Sequence, residues 1–428
     1  MSDATSVLYG LEDEFRVVAV TRLGVAEVKI IIEMRSREGP CPSCGGLSRR
    51  VKDRPVRRVK DVPASGQRVQ LWWRKRRLVC SESACPQRSF TQLSDAIRPR
   101  ARLTQRLKDA LAQAIASSNR AVAEVATEYG VAWGTAHRAL VAAAARWLPE
   151  PSPTRILGLD ETRARSMHQM LAGTGWRRLD PWLTSFVDCS RDRPGSLMGL
   201  TSGRTGAAIQ GWLAAQTAAF RDTIEVVVID TSSPYAGGIR AALPHAKIAV
   251  DKWHLITLAN QMVTTVRQRV TRHRLGRRGR AKDPIWVNRQ LLLLGAERLS
   301  DAQQQRLTAT LAADPSGALH AAWQVKEQLR RLLAEHQPSR IRWQLADFYE
   351  AAIDAQIPET IRLAKTIQAW WPAIQVALTE NVTNARSEGF NRIIKQTKRV
   401  GCGYRNMINY QRRILTHIAV TRPRRPAA

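Results

Sequence analysis

Three carboxylates stand where a protein would place acids for work on phosphates. Asp160 closes the apolar run Arg155-Ile-Leu-Gly-Leu-Asp160, and Asp230 closes Ile224-Glu-Val-Val-Val-Ile-Asp230. Glu388 lies in Asn384-Ala-Arg-Ser-Glu-Gly-Phe-Asn-Arg-Ile-Ile-Lys395, a polar stretch with helical spacing. Acids at the C-terminal ends of buried strands, joined by one from a later helix, can hold two Mg²⁺ (or Mn²⁺) ions for phosphoryl transfer. Neighbours on a strand face opposite ways, so only one of Asp160 and Glu161 is expected in the site, and the phase of Ile156 and Gly158 favours Asp160. On the helix, Glu388, Asn391 and Lys395 share a face. Their expected roles are metal ligand, orientation of a phosphate or water, and contact with DNA backbone. Asn384 suits the helix cap, and Phe390, Ile393 and Ile394 can anchor the helix to a core.

Asp251 and His254, in Val250-Asp-Lys-Trp-His254, are expected beside this site. His254 is a candidate to assist a leaving group. The plainer reading is a packed, hydrogen-bonded histidine next to Trp253.

The charge balance names the phosphate's owner. Lys and Arg outnumber Asp and Glu by 67 to 36, a net charge of +31, spread along all 428 residues. Such a chain is drawn to a polyanion, here DNA, by phosphate contacts and counterion release. A ribosomal or membrane-surface protein would share the charge but leave the strand-end acids unexplained. No apolar stretch approaches the ~20 residues of a membrane span, and the first residues lack a signal peptide's basic start and apolar core. A cytoplasmic protein is expected, with no membrane partner and no small-molecule substrate.

The elements that must position these groups fall into blocks. Residues 1–98 read as a β-rich module with two cysteine pairs, Cys41-x₂-Cys44 and Cys80-x₄-Cys85. Four thiolates from two knuckles make a closed tetrahedral Zn²⁺ site, structural because no coordination position is left for water. Arg74, Lys75, Arg76 and Arg77, beside Trp72 and Trp73, are candidate DNA-backbone contacts. Cys189 and Cys402 lack partners and read as core or loop residues.

Residues 99–150 turn helical. Leu103, Leu107, Leu111 and Ile115 form one face, and helices over 121–129 and 133–147 flank a turn at Gly130. Two short helices around such a turn suggest helix-turn-helix, with a plain three-helix linker as the alternative. Thr135, His137 and Arg138 would face the groove, Arg138 toward guanine and Thr135 toward a phosphate or methyl group.

Pro149-Glu-Pro-Ser-Pro153 marks a boundary. Beyond it the pattern predicts strands at 155–165, 176–189 and 194–201, a helix at 206–220, a strand at 224–230, a helix at 236–243 and a strand at 246–251. That order, with acids on the first and fourth strands, matches an RNase H-like α/β core. Its first part is placed at 151–254, its C-terminal helix at 381–420, and an all-helical insertion at 255–380. Residues 421–428 read as a basic disordered tail. The fold class is multidomain α+β.

Taken together these segments resemble the ISL-three family of bacterial insertion-sequence (DDE) transposases. The likeness rests on both cysteine pairs with Arg88-Ser-Phe-Thr91, the helix-turn-helix, Gly158-Leu-Asp-Glu161, Asp230-Thr-Ser-Ser-Pro-Tyr235, Val250-Asp-Lys-Trp-His254 and Asn384-x₃-Glu388-Gly-x-Asn391-x₃-Lys395. It implies a catalytic triad of Asp160, Asp230 and Glu388 holding two Mg²⁺ ions, with water activated for cleavage and the freed 3′-hydroxyl joined to target DNA. It also implies that the N-terminal modules bind terminal inverted repeats. Lys398 and Arg399 are further candidate DNA contacts. Because two DNA ends must be handled together, a homodimer or larger assembly is expected. Two other readings are an RNase H-like nuclease or junction resolvase, and a zinc and helix-turn-helix regulator without chemistry.

Overall fold

The computed structural model describes residues 4–11, 13–167, 169–172 and 175–422. The chain divides into two compact units, one of Met1–Pro149 with Gln396–Ala428 and one of Glu150–Lys395.

The first unit opens with α1 (Ala4–Leu8) and the strands β1 (Phe15–Arg22), β2 (Glu27–Met34), β3 (Gly39–Pro40), β4 (Leu47–Ser48), β5 (Val51–Asp53), β6 (Val56–Ala64), β7 (Gln67–Arg74), β8 (Arg77–Val79) and β9 (Ser89–Thr91). A four-stranded sheet runs β1-β2-β7-β6. Val28, Ile30 and Ile32 pair in register with Val69, Leu71 and Trp73, and all six are buried. The period-two alternation puts them on one face, where each is worth about 1.5–3 kcal/mol. A second, three-stranded sheet, β5-β8-β9, carries the cysteine region.

Three helices follow: α2 (Gln105–Ser117), α3 (Val122–Glu128) and α4 (Trp133–Trp147). Thr104 caps α2 by accepting from the Leu107 N–H, and Leu107, Leu111 and Ile115 are buried. Gly130 turns the chain between α3 and α4 at φ +62°, a conformation glycine adopts without strain.

The second unit is built on a five-stranded sheet. Its elements are β10 (Ile156–Arg163), β11 (Gln169–Ala172), β12 (Gly175–Arg178), β13 (Trp182–Asp188), β14 (Leu197–Ser202), α5 (Gly206–Ala214), α6 (Ala218–Asp222), β15 (Val226–Ile229), α7 (Ser233–Ala242) and β16 (Lys247–Val250). The order is β14-β13-β10-β15-β16, antiparallel from β14 to β10 and parallel from β10 to β16. The strand expected over 176–189 is two: β12 belongs to a hairpin with β11, and β13 begins only at Trp182, after Pro181, which cannot donate to a ladder. The helix expected over 206–220 also divides, at Thr217, whose hydroxyl caps α6. Leu157, Leu159, Val227 and Ile229 share a core with Ile209, Leu213, Tyr235 and Ile239 of the covering helices. The alternate residues Ile156, Gly158 and Asp160 therefore face the other way.

Then come α8 (Lys252–Leu275), α9 (Pro284–Val287), α10 (Asp301–Ala312), α11 (Ala318–Ala334), α12 (Pro338–Asp354), α13 (Pro358–Thr379) and α14 (Ala385–Val400). The core of α8 to α13 is continuous with Val250 of β16 and runs through Val263, Val325, Leu329, Phe348 and Ile374. The final helix, α15 (Met407–Thr421), is part of the first unit, where His417 Nδ1 lies 2.6 Å from the Ala116 carbonyl. Thr421, placed by sequence in a disordered tail, ends this helix; the remainder of that tail, 423–428, lies outside the described residues. Among the described residues no helix is long and apolar enough to cross a membrane.

Candidate functional site

Sheet register brings the acids together. Gly158 pairs with Val228, and Ile229 with Val250, on adjacent parallel strands. Continuing that register sets Asp160, within β10, at one level with Asp230 and Asp251, which directly follow β15 and β16. Ligand oxygens of Asp160, Glu161 and Asp230 all lie within 4.8 Å of one another, as do the ligand atoms of Asp230, Asp251 and His254. His254 Nε2 is 3.0 Å from Asp230 Oδ1.

Glu161 was not expected here. Alternation does send it to the opposite face, toward Tyr235, which steadies it with a hydrogen bond. Past Gly158, the last β10 residue paired with β15, its longer side chain still reaches Asp230. The Tyr235 hydroxyl also lies 2.6 Å from Thr184 Oγ1, and Arg204 Nη1 is 3.9 Å from Glu161.

The helix α14 is seated on β10 by a side-chain clasp that spacing alone did not reveal. Asn384 Nδ2 donates to the Leu159 carbonyl at 2.8 Å, and Ser387 Oγ donates to Asn384 Oδ1 at 2.5 Å. A Cβ on Gly158 would sit 2.5 Å from Asn384 Oδ1 and from Cys189 Sγ, so the bare backbone is what lets the helix approach. The inward stripe is Asn384, Ser387, Asn391 and Ile394, all buried. It could have been read from their three- and four-residue spacing. Asn391 Nδ2 donates to Asp160 Oδ2 at 2.7 Å.

Glu388 and Lys395 do not share that buried stripe. The Glu388 side chain is 63% exposed and lies 3.7 Å from Arg392, outside the carboxylate cluster. Lys395 and Arg399 are exposed, while Lys398 is half-buried.

Electrostatics register the crowding. Burial, then the charge of Asp230, push Asp160 up to about 7. The same two causes raise Glu161, and burial raises Asp251. The hydrogen bond to Asp230 raises His254. Buried acids that resist ionisation side by side fit a site completed by divalent cations. The oxygen-rich donor set suits Mg²⁺ or Mn²⁺. Asn391 Oδ1, buried with no hydrogen-bond partner, is a further free acceptor there.

In the first unit, Cys41 and Cys85 sulfurs are 3.9 Å apart and those of Cys44 and Cys80 3.5 Å, with all four within 4.8 Å. Sulfurs on a tetrahedral Zn²⁺ with ~2.3 Å bonds stand about 3.8 Å apart, so the set fits. Gly45, at φ +75°, donates its N–H to the Cys41 carbonyl and closes the knuckle. Burial opposes ionisation of Cys41, but N–H groups of Cys44 and Ser43 bring it down to about 7, whereas burial and neighbouring sulfurs push Cys80 up to about 12. Holding four thiolates so close requires a cation. The local core is small, chiefly Leu78 and Phe90 with the cysteines.

One expected DNA contact is corrected. Arg76 is only 5% exposed; its Nη1 donates to the carbonyls of Met34 and Ser36, and Glu33 lies 3.5 Å from Nη2. It is a strut between strands. Trp73 is likewise core, edge-on to Phe15. Arg74 and Arg77 remain exposed, near Glu33 and Asp53, and Lys75 lies over the Trp73 ring. On α4, Trp133 stacks on His137 at 4.9 Å, Arg138 is exposed, and Thr135 accepts from it at 3.3 Å.

Known proteins match this chain in the same order of parts. A model of the zinc-finger of transposase IS204/IS1001/IS1096/IS1165 matches residues 37–85, and one of the helix-turn-helix domain of transposase family ISL3 matches 91–144. A model described as transposase matches 157–414, the larger part of the chain. The class is thus that of a transposase with its own DNA-binding modules. More narrowly, the chain belongs to the ISL3 family of transposases. It is similar to the transposase for insertion sequence element IS1001 from Bordetella parapertussis, 27% identical over 370 residues, which cover 86% of this chain and 85% of that one.

Proposed function

We propose that the second unit is an RNase H-like catalytic core that cuts and joins DNA at the ends of an insertion sequence, with Asp160, Asp230 and Glu388 holding two Mg²⁺ or Mn²⁺ ions. The observation that carries this reading is the convergence of Asp160, within β10, and Asp230, just past the end of the adjacent parallel strand β15, with Asn391 of α14 hydrogen-bonded to Asp160. The sheet order and the placement of the acids on its first and fourth core strands support the fold. Bound divalent cations would supply Lewis-acid charge for in-line displacement at a phosphodiester. The chain's own part is to fix the carboxylates before DNA arrives. Asn391 sets the Asp160 rotamer, the Asn384 clasp sets α14, and Glu388, one turn before Asn391, joins the acids by rotating its side chain. Lys395, Lys398 and Arg399 meet DNA backbone.

The zinc module and helix-turn-helix would bind terminal inverted repeats, through Arg74, Lys75 and Arg77 on backbone and Thr135, His137 and Arg138 in the groove. Two ends handled together call for a dimer or larger assembly. The test is full-length protein with labelled inverted-repeat DNA and Mg²⁺ or Mn²⁺, scored for cutting and joining. Both activities are expected. Nicking without joining, on DNA lacking inverted repeats, would favour a structure-selective nuclease instead.

A further inference from the structure

The carboxylate cluster is larger than a three-acid centre needs. Two separate three-residue ligand sets meet at Asp230: one with Asp160 and Glu161, the other with Asp251 and His254. The second set contains a nitrogen ligand and is not part of the Asp-Asp-Glu triad.

We propose that Asp230, Asp251 and His254 form a distinct cation pocket, sharing Asp230 with the Asp160 side, whose imidazole selects Mn²⁺ over Mg²⁺. This deepens the reading of the second unit as a divalent-cation centre and rests on it.

Geometry is the first argument. Asp251 follows β16 as the N-cap residue of α8, and His254 comes one helical turn later in α8, so both project from the same strand-to-helix corner. His254 Nε2 and Asp230 Oδ1 are 3.0 Å apart. Two adjacent ligands on an octahedral cation with bonds of about 2.1 Å stand about 3.0 Å apart, so this spacing is that of neighbouring ligands. Trp253 packs edge-on against His254, ring centroids 5.2 Å apart, which restricts the imidazole's orientation.

The second argument is unmatched polarity. Asp251 is 6% exposed, and Asp160 and Asp230 beside it are half-buried; His254 is the one group of the two ligand sets that can carry a positive charge. Independently, Asn391 is 4% exposed, and its Oδ1 has no hydrogen-bond partner although its amide is fixed on Asp160. That open acceptor, beside Asp160, points to a cation missing from the cluster that Asp230 joins to the His254 side.

Chemistry then sets the selectivity. Mg²⁺ keeps oxygen ligands and water, whereas imidazole suits transition cations. The Asp160 set is all oxygen. The His254 set is not, and the two pockets should differ in preference.

The test uses full-length, zinc-loaded protein and Mn²⁺ alone as probe, read by electron paramagnetic resonance titration and by pulsed detection of ¹⁴N coupling. Wild type should bind three Mn²⁺ ions, two at the triad and one with histidine nitrogen coupling. His254→Ala and the conservative His254→Gln should each bind two ions and lose the coupling, with circular dichroism confirming that at least one variant is folded. Excess Mg²⁺ should displace the uncoupled ions from wild type at concentrations at least about tenfold below those that displace the coupled one. Asp160→Asn should keep the coupling. Bound Mn²⁺ without ¹⁴N coupling in wild type, or coupling that survives in a folded His254 variant, overturns this pocket and leaves the triad reading standing. Failure to bind any Mn²⁺ overturns both.

Discussion

Asn391 and Asp160, remote in sequence, are joined by a 2.7 Å hydrogen bond from the amide nitrogen to the carboxylate. It ties the late helix α14 to the first strand of the core and fixes which way the Asp160 oxygens face. Replacing Asn391 by Leu fills the space but frees Asp160. Single-turnover DNA cleavage should fall about 10- to 100-fold, in line with loss of a residue that orients a metal ligand, while DNA binding measured by filter retention stays within about twofold.

Gly158 should be intolerant of a side chain for a reason separate from chemistry. Its missing Cβ is the space in which Asn384, Ser387 and Cys189 meet the strand. Gly158→Ala is expected to destabilise the protein by about 1–3 kcal/mol in chemical denaturation. Gly211→Ala, on exposed helix with nothing within 4 Å of the new Cβ, should instead be neutral or stabilise by up to roughly 1 kcal/mol.

The elevated Asp160 implies a definite pH dependence. Its carboxyl titrates near 3.8 when unperturbed and near 7 in the folded cluster. Between those values the folded state retains a proton that the unfolded state has released, so this group's contribution to stability falls as pH rises, and the deficit is complete above about 7. A cation on the carboxylate removes that deficit. Melting temperature should therefore gain more from Mn²⁺ at about pH 8 than at about pH 6. Asp160→Asn should raise the melting temperature of the metal-free protein at the higher pH.

Zinc removal acts elsewhere. Chelation at equilibrium, or Cys80→Ser, should abolish the bound Zn²⁺ and open residues 39–91 to hydrogen exchange, because Leu78 and Phe90 alone are a slender core. Exchange in β10 and β15, which lie in the other unit, should be unchanged.

What could be read from sequence was what local rules determine. The helix over 133–147 and the glycine turn before it follow from apolar spacing and a forced positive φ, and both are present. Asp230 was visible because a buried β run announces its own end, whereas Asp160, expected to close its run, lies within a strand that continues to Arg163. Long-range partners were not. Arg76 sits in a run of four basic residues, which gives no sign that Glu33 and two carbonyls hold it inside. Glu161 was excluded by alternation, which holds, since it stays in the β10–β13 ladder opposite Thr184; the reach of its side chain is what brings an oxygen within 4.8 Å of Asp160 and Asp230. On α14 Asn391 was expected to share a face with Glu388 and Lys395, and instead shares a buried one with Asn384 and Ser387. Their hydrogen bonds to β10 and to one another satisfy polar groups that spacing alone would send to solvent.

The assignment of Asp160, Asp230 and Glu388 is tested most directly by substituting each in turn, Asp160→Asn, Asp230→Asn and Glu388→Gln, and measuring cleavage and strand transfer of inverted-repeat DNA beside end binding. Each substitution should abolish both reactions, below about 10⁻³ of wild type, and leave end binding within about twofold. Glu388 is the decisive case, since its carboxylate starts outside the cluster. Full strand transfer by Glu388→Gln, or by either aspartate variant, would contradict the account.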